Sequence, residues 1–134
     1  MNYKTGGGSI IESAVKVLDE KERDLIEALE AVGVGRNVAT IIVYLKDMDE
    51  ATTRDIEKGC GLRQPEVSIA MRTLRELRWI AEREVKGSGK GRPMRLYKLT
   101  VPIEDILGYY EEKKRSESAQ VMQSIQRLKE ISST

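Results

Sequence analysis

The sequence predicts a mostly helical α+β domain in which two short helices joined by a tight turn precede a two-stranded hairpin, with further helices on either side. Three observations within residues 52–99 support this prediction. Helix-start signals at Thr52 and Thr53 precede a glycine-containing turn. An amphipathic segment with Pro65 in its first turn follows, which suits proline because a first-turn N–H has no intrahelical partner to lose. After Trp79 the pattern changes to two extended segments.

The first helix of the pair has a clear beginning and end. The spacing Thr52-x-x-Asp55 approximates a capping box, in which each residue's side chain satisfies the other's backbone N–H. The helix is predicted to stop at Gly59-Cys60-Gly61, because glycine readily supplies the left-handed conformation that a turn needs.

The second helix is predicted over residues 64–78 and has two distinct faces. Apolar residues recur at helical spacing and predict an inner face of Val67, Ala70, Met71, Leu74 and Leu77. The opposite face carries Gln64, Ser68, Arg72 and, near its edge, Arg75. Such side chains can form hydrogen bonds with base edges and phosphates.

The predicted hairpin consists of extended segments at residues 80–86 and 94–99 around a glycine-rich tip. Lys90 and Arg92 place cations at this tip. The tripeptide Gly91-Arg92-Pro93, flanked by Lys90 and Arg95, resembles the short basic motif that lies in narrow A·T-rich minor grooves. A contact to phosphate is the alternative for these cations.

Residues 35–100 resemble the winged helix-turn-helix of MarR/TrmB/ArsR-like transcription regulators, of the kind common in archaea. The matching pieces are, in order, TTRDI, GLRQPEVSIAMRTLRELRWI and KGRPMRLYKL. The resemblance implies a recognition helix followed by a wing, and a dimer made by the elements that flank them. These regulators usually have glycine just before the aromatic residue that closes the recognition helix. This chain has Arg78 there, so we expect the turn to differ in detail.

Charge is unevenly distributed along the 134 residues, although the net charge is only +1. Residues 52–100 contain 12 basic and 6 acidic side chains, whereas residues 1–51 contain 6 basic and 10 acidic ones. The basic excess therefore coincides with the predicted DNA-binding unit. A solvated charged surface is the alternative interpretation.

The composition argues against an enzyme. The chain has no histidine and one cysteine, so it offers no Cys–His or Ser–His pair and no zinc-ligand spacing, and we expect no cofactor. The glycines at 87, 89 and 91 lack the order of a phosphate-binding loop.

Cys60 could act as a thiol sensor beside the recognition helix, or simply pack in its turn. A single cysteine, with no secretory signal and no membrane-length apolar run, favours the cytoplasm and no membrane partner.

The chain is predicted to divide into a flexible N-terminus (1–9), a winged helix-turn-helix domain with an N-terminal helix (10–100), and a helical dimerisation tail (101–134). Helices are expected at 10–18, 20–32 and 36–46, the last of them buried because it is apolar nearly all round. The tail carries two apolar stripes, Ile103, Ile106, Leu107 and Tyr110, then Val121, Ile125 and Leu128. It forms either one long helix or two segments. Its stripes either contact a second subunit or fold back on their own domain.

The sequence therefore predicts a homodimeric, sequence-specific double-stranded DNA-binding transcription regulator that acts as a repressor. Predicted contacts are Arg63, Gln64, Ser68 and Arg72 in the major groove, Lys90 and Arg92 on the backbone or in the minor groove, and Arg54 and Arg75 on phosphates. One alternative is a winged-helix adaptor that binds proteins. Another is a repressor with a small-molecule effector, which the sequence does not identify.

Overall fold

The computed structural model describes residues 17–86 and 93–133. In chain order these residues form α1 (Glu20–Ala31), α2 (Arg36–Leu45), β1 (Ala51–Thr52), α3 (Thr53–Cys60), α4 (Gln64–Glu76), β2 (Ile80–Val85), β3 (Met94–Leu99) and α5 (Ile103–Ser132). The chain separates into two compact units, Met1–Thr100 and Val101–Thr134, which are described in turn. The predicted N-terminus 1–9 and most of the predicted helix 10–18 lie outside the described residues, and Val17 and Leu18 are not helical.

Helix α1 begins with a complete capping box. The Asp19 carboxylate accepts a hydrogen bond from the backbone N–H of Glu22 at 2.8 Å, and the Glu22 carboxylate accepts one from the N–H of Asp19 at 3.0 Å. Ile26 and Leu29 are buried. Val32, the last residue of the predicted helix 20–32, is the C-cap of α1 and is 37% exposed.

Helix α2 forms the centre of the first unit. Every residue from 39 to 45 is buried, which confirms the prediction made from its uniformly apolar sequence. Thr40 is the polar member of this run, and its hydroxyl donates to the carbonyl oxygen of Arg36 at 2.8 Å. A buried hydroxyl that makes such a bond avoids the cost of an unpaired donor.

Helix α3 begins as the sequence predicts. The hydroxyl of Thr52 accepts from the N–H of Asp55, and the Asp55 carboxylate accepts from the N–H of Thr52, both at 3.0 Å. The predicted stop at Gly59-Cys60-Gly61 is confirmed, because the last helical residue is Cys60 and Gly61 adopts the left-handed conformation (φ 67°, ψ 35°). Gly59 itself lies inside the helix, where its lack of a side chain is required for packing. A Cβ atom at Gly59 would overlap the ring of the buried Tyr44.

Helix α4 ends two residues earlier than predicted, and its final turn is closed by Arg78. The N–H of Arg78 donates to the carbonyl oxygen of Arg75 at 2.9 Å, and that of Trp79 donates to Leu74 at 3.0 Å. This is the pattern of a Schellman motif, which normally has glycine in the left-handed position. Arg78 occupies that position with φ 62°, and no other described non-glycine residue has a positive φ. The turn therefore keeps the geometry that glycine would provide, at the cost of strain in an L-residue.

The sheet has three antiparallel strands in the order β1-β3-β2. The predicted two-stranded wing is confirmed, with Ile80 opposite Leu99 and Val85 opposite Met94. Strand β1 was missed, because two residues show no alternation. Its pairing of Ala51 with Tyr97 connects the wing to the start of α3.

The second unit is the 30-residue helix α5, which is continuous and so excludes the two-segment alternative. Gly108 lies within it without interrupting it. Its polar middle is held by ion pairs such as Arg115 with Glu111 at 3.0 Å. Large apolar side chains of its C-terminal half are 40–64% exposed: Val121, Met122, Ile125, Leu128 and Ile131. No helix in the described ranges is long and apolar enough to cross a membrane.

Candidate nucleic-acid interface

Helix α4 is anchored by one face and presents the other to solvent. Val67, Ala70, Met71 and Leu74 are buried, which confirms the predicted inner face, and Leu77 is half-buried. The four predicted contact residues of this helix are all exposed: Gln64, Ser68, Arg72 and Arg75. Because 13 residues of regular helix connect them, their relative positions are set by the backbone.

These four side chains line an open cleft of about 240 Å³, together with Val67 and Met71 of the same helix, Thr53 of α3 and Tyr97 of β3. The amide Nε2 of Gln64 donates to the hydroxyl of Ser68 at 3.1 Å, so the two polar groups are already oriented together. Thr53 and Tyr97 were not predicted as part of this surface. The capping pattern at Thr53 identified a helix start, and nothing in the sequence around Tyr97 indicates which helix it faces.

Three arginines of the helix-turn-helix carry charge that the protein does not neutralise locally. Arg54, Arg63 and Arg72 are exposed and have no ion pair with any described residue. Arg63 is the N-cap of α4, and its backbone N–H donates to the carboxylate of Glu66 at 2.8 Å. This role of Glu66 was not predicted from the sequence, and it places one negative charge at the start of the helix.

Arg75 differs from the other arginines of this surface because it is held against the wing. Its Nε donates to the Glu82 carboxylate at 3.0 Å, and this hydrogen bond raises the pKa of Arg75 above its ordinary value. Tyr97 raises the pKa of the same guanidinium group to a lesser extent. A phosphate contact by Arg75, which stays a prediction, would have to compete with Glu82.

The arginines of the wing strands are also paired. Arg95 donates to Glu82 at 2.9 Å and to Glu84 at 2.8 Å. Arg83 makes two hydrogen bonds with Glu50, at 2.6 and 2.7 Å, and these lower the pKa of the Glu50 carboxyl group. The described part of the wing is therefore much less cationic than its arginine count indicates.

The remaining predictions concern the wing tip, Cys60 and metal binding. Lys90 and Arg92 lie outside the described residues and remain predictions. Cys60 is half-buried, with its sulfur 4.0 Å from the carbonyl oxygen of Thr40, as expected for a residue packed in a turn. Within the described ranges, no group of three or more histidine, cysteine or acidic residues could hold a metal ion.

The succession of α3, tight turn, α4 and the β2–β3 hairpin, with β1 added to the sheet, defines a winged helix-turn-helix protein. Comparison with solved structures agrees. A protein of Methanosarcina mazei Go1, described as a possible transcriptional regulator, is 15% identical over 84% of this chain and 97% of its own, with a TM-score of 0.58. This similarity shows the fold.

Other similar structures include two bacterial regulators. MepR, a transcription regulator of the Staphylococcus aureus multidrug efflux pump MepA, is 20% identical over 75% of this chain and 76% of its own, with a TM-score of 0.47. NMB1585, a MarR family regulator from Neisseria meningitidis, is 16% identical over 81% and 83%, with a TM-score of 0.46. No profile of a known protein family matches the chain. Comparison with curated protein sequences finds no match.

Proposed function

We propose that this chain is a sequence-specific double-stranded DNA-binding protein that regulates transcription and that α4 is its recognition helix. The observation that carries the proposal is the outward face of α4, where Gln64, Ser68 and Arg72 are exposed together on a helix whose other face is buried. Such a helix can enter the major groove and present these side chains to base edges. The fold shared with a possible transcriptional regulator supports the same role.

Each of these side chains suits a particular contact. Arg72 can form a bidentate pair with guanine, and Gln64 can do so with adenine. Arg63, at the N-cap of α4, lies within reach of the groove edge, and Arg54 in the first turn of α3 suits a phosphate. Because Arg54, Arg63 and Arg72 have no acidic partner among the described residues, binding DNA requires no ion pair of theirs to break.

We propose in addition that the protein acts as a homodimer assembled through α5. Val121, Ile125 and Leu128 recur at intervals of four and three residues and are 57%, 40% and 64% exposed. Residues at this spacing form one stripe on a helix, and a second copy of the same helix would bury it. A dimer would place two recognition helices on two half-sites, and its occupation of a promoter would repress transcription.

The DNA proposal is tested by selecting fragments from a random duplex library with the full-length protein and measuring binding at several salt concentrations. We expect an enriched sequence with two related half-sites and an affinity that falls steeply as salt rises, because phosphate contacts release counterions. If duplexes were bound but no sequence was enriched, the protein would not be sequence-specific. A failure to retain any duplex at low salt would leave the protein-interaction alternative.

The dimer proposal is tested by sedimentation of Leu128→Glu over a range of protein concentrations. Because the proposed dimer would bury this stripe, a carboxylate at position 128 should shift the protein toward monomer. Gln123→Glu is the matched control, because it adds the same charge on the opposite side of α5. An unchanged dimer in Leu128→Glu, or an equal loss in both variants, would show that this stripe is not the interface.

A further inference from the structure

An exposed isoleucine interrupts the polar face of the recognition helix. Ile69 is 62% exposed, although α4 buries four other apolar residues in its core. It follows the buried Val67 by two residues, which at 100° per residue of helix places it about 200° away, on the side opposite the core. Its neighbours one turn away are Pro65 and Glu66 on one side and Arg72 and Thr73 on the other. Ile69 is therefore near the centre of the outward surface.

From this position we infer that Ile69 is a specificity-determining residue that recognises the C5-methyl group of thymine in the major groove. The inference rests on the proposed DNA-binding function and adds a base preference to it. The thymine methyl is the one apolar group that a base pair presents in that groove, and an aliphatic side chain is its natural partner.

The surroundings of Ile69 favour nucleic acid over an apolar protein partner. Ser68 precedes it, and the exposed Glu66 and Arg72 lie one turn before and one turn after it, so a single apolar side chain is surrounded by polar and charged groups. Among the described residues of α3 and α4, Ile69 alone is a large, exposed hydrophobic side chain. One aliphatic group among hydrogen-bonding side chains matches a groove in which isolated methyl groups are separated by polar base edges.

The size of the effect follows from the area involved. Removing one methyl-sized group from water corresponds to roughly fourfold in Kd. The contact would therefore distinguish thymine from cytosine modestly by itself. It would act together with Arg72, which recognises a neighbouring base through hydrogen bonds. The surrounding side chains also exclude water from the contact, as at the centre of other binding interfaces.

The test replaces each thymine of the selected DNA site, one at a time, by deoxyuridine, which removes the methyl group and leaves every hydrogen-bonding atom in place. For the wild-type protein, one thymine in each half-site should show a loss of roughly fourfold. Ile69→Ala should bind the thymine site about as weakly as the wild type binds the uridine site, and should show no further loss at that position. Val32→Ala is the matched control, because it shortens another exposed aliphatic side chain outside α4.

Two results would overturn the inference. If no thymine is sensitive in the wild type, or if Ile69→Ala keeps the full sensitivity, Ile69 does not read the methyl group. In both cases binding to the selected site persists, so the proposed DNA-binding function stands. If neither the thymine nor the uridine duplex is bound at low salt, both proposals fail together. Equal thermal unfolding of Ile69→Ala and wild type shows that the fold is retained.

Discussion

The arginines of the helix-turn-helix and those of the wing strands differ in what they contact. Arg54 and Arg72 are exposed and have no ion pair with a described residue. Arg83 and Arg95 are also on the surface, yet each makes two hydrogen bonds with carboxylates at 2.6–2.9 Å. Arg75 is a residue of α4, but like the wing arginines it is paired, because its Nε donates to Glu82 of β2.

This difference shows that the number of cations in a segment does not give the charge available to a ligand. Residues 52–100 have 12 basic and 6 acidic side chains, and the acidic residues of β2 lie beside the arginines of the wing. A paired guanidinium has to exchange one carboxylate for a phosphate, which reduces the net gain. We therefore expect the described cations that bind DNA to be mainly those of α3 and α4.

The largest effect should come from Arg72→Ala, which we expect to weaken binding to the selected site by about 1–3 kcal/mol and to relax the preference at one base position. Arg83→Ala is the matched control from the wing, where loss of a neutralised cation should change affinity little. Both are measured on the selected duplex and on a scrambled one. Equal losses of affinity in the two variants would show that the arginines of the two regions contribute alike. If Arg72→Ala lost the same affinity on both duplexes, Arg72 would contact a phosphate and not a base.

Next in size, replacing Lys90 and Arg92 together by alanine should lower the slope of log affinity against log salt by up to about 2, since each phosphate contact contributes about 0.9. The base preference of α4 should persist. Comparing duplexes with A·T-rich and G·C-rich flanks shows whether Arg92 also enters a narrow minor groove, in which case the double variant loses its preference for A·T. An unchanged slope would mean that the wing tip does not touch DNA.

A smaller effect in the opposite direction is expected for Glu82→Gln. This change removes the carboxylate shared by Arg75 and Arg95, so Arg75 becomes available to phosphates while Arg95 keeps its hydrogen bond to Glu84. The salt slope should rise by about 1, and binding should strengthen on all duplexes alike. Glu84 accepts a hydrogen bond from Arg95 and not from Arg75, so Glu84→Gln should have a weaker effect. Glu27→Gln on α1 is the control, because it also removes one negative charge. If it strengthened binding as much as Glu82→Gln does, the gain would come from net charge and not from the release of an arginine.

The smallest effect concerns the turn that joins the two regions. Arg78→Gly should raise the free energy of unfolding by about 1 kcal/mol, because glycine adopts a positive φ without the strain that an L-residue carries. Arg78→Ala is the control, since it removes the same charge and keeps the strain. Chemical denaturation of both variants measures the difference. Equal stability of the glycine and alanine variants would show that the conformation of Arg78 is not strained.

Local features of the fold were predictable because they depend on residues close together in the chain. The capping box at Thr52 was read from residues three apart, and the inner face of α4 was read from its helical spacing. The end of α4 was predicted two residues too late, because the left-handed residue that closes this helix is Arg78 and not a glycine. Gly59 lies inside α3 because it packs against Tyr44 of α2, and the sequence alone does not distinguish a glycine needed for close packing from one that ends a helix.

By itself, the sequence determined the order of helices and hairpin, the buried face of α4 and the candidate contacts Gln64, Ser68 and Arg72. Only the tertiary structure decided which cations are neutralised. Glu82 is 7 residues from Arg75 and 13 from Arg95, and Glu50 is 33 residues from Arg83. Ion pairs over such separations depend on strand register and on how α4 lies against the wing. Coulomb attraction acts between groups that the fold brings within a few ångströms, whatever their distance along the chain.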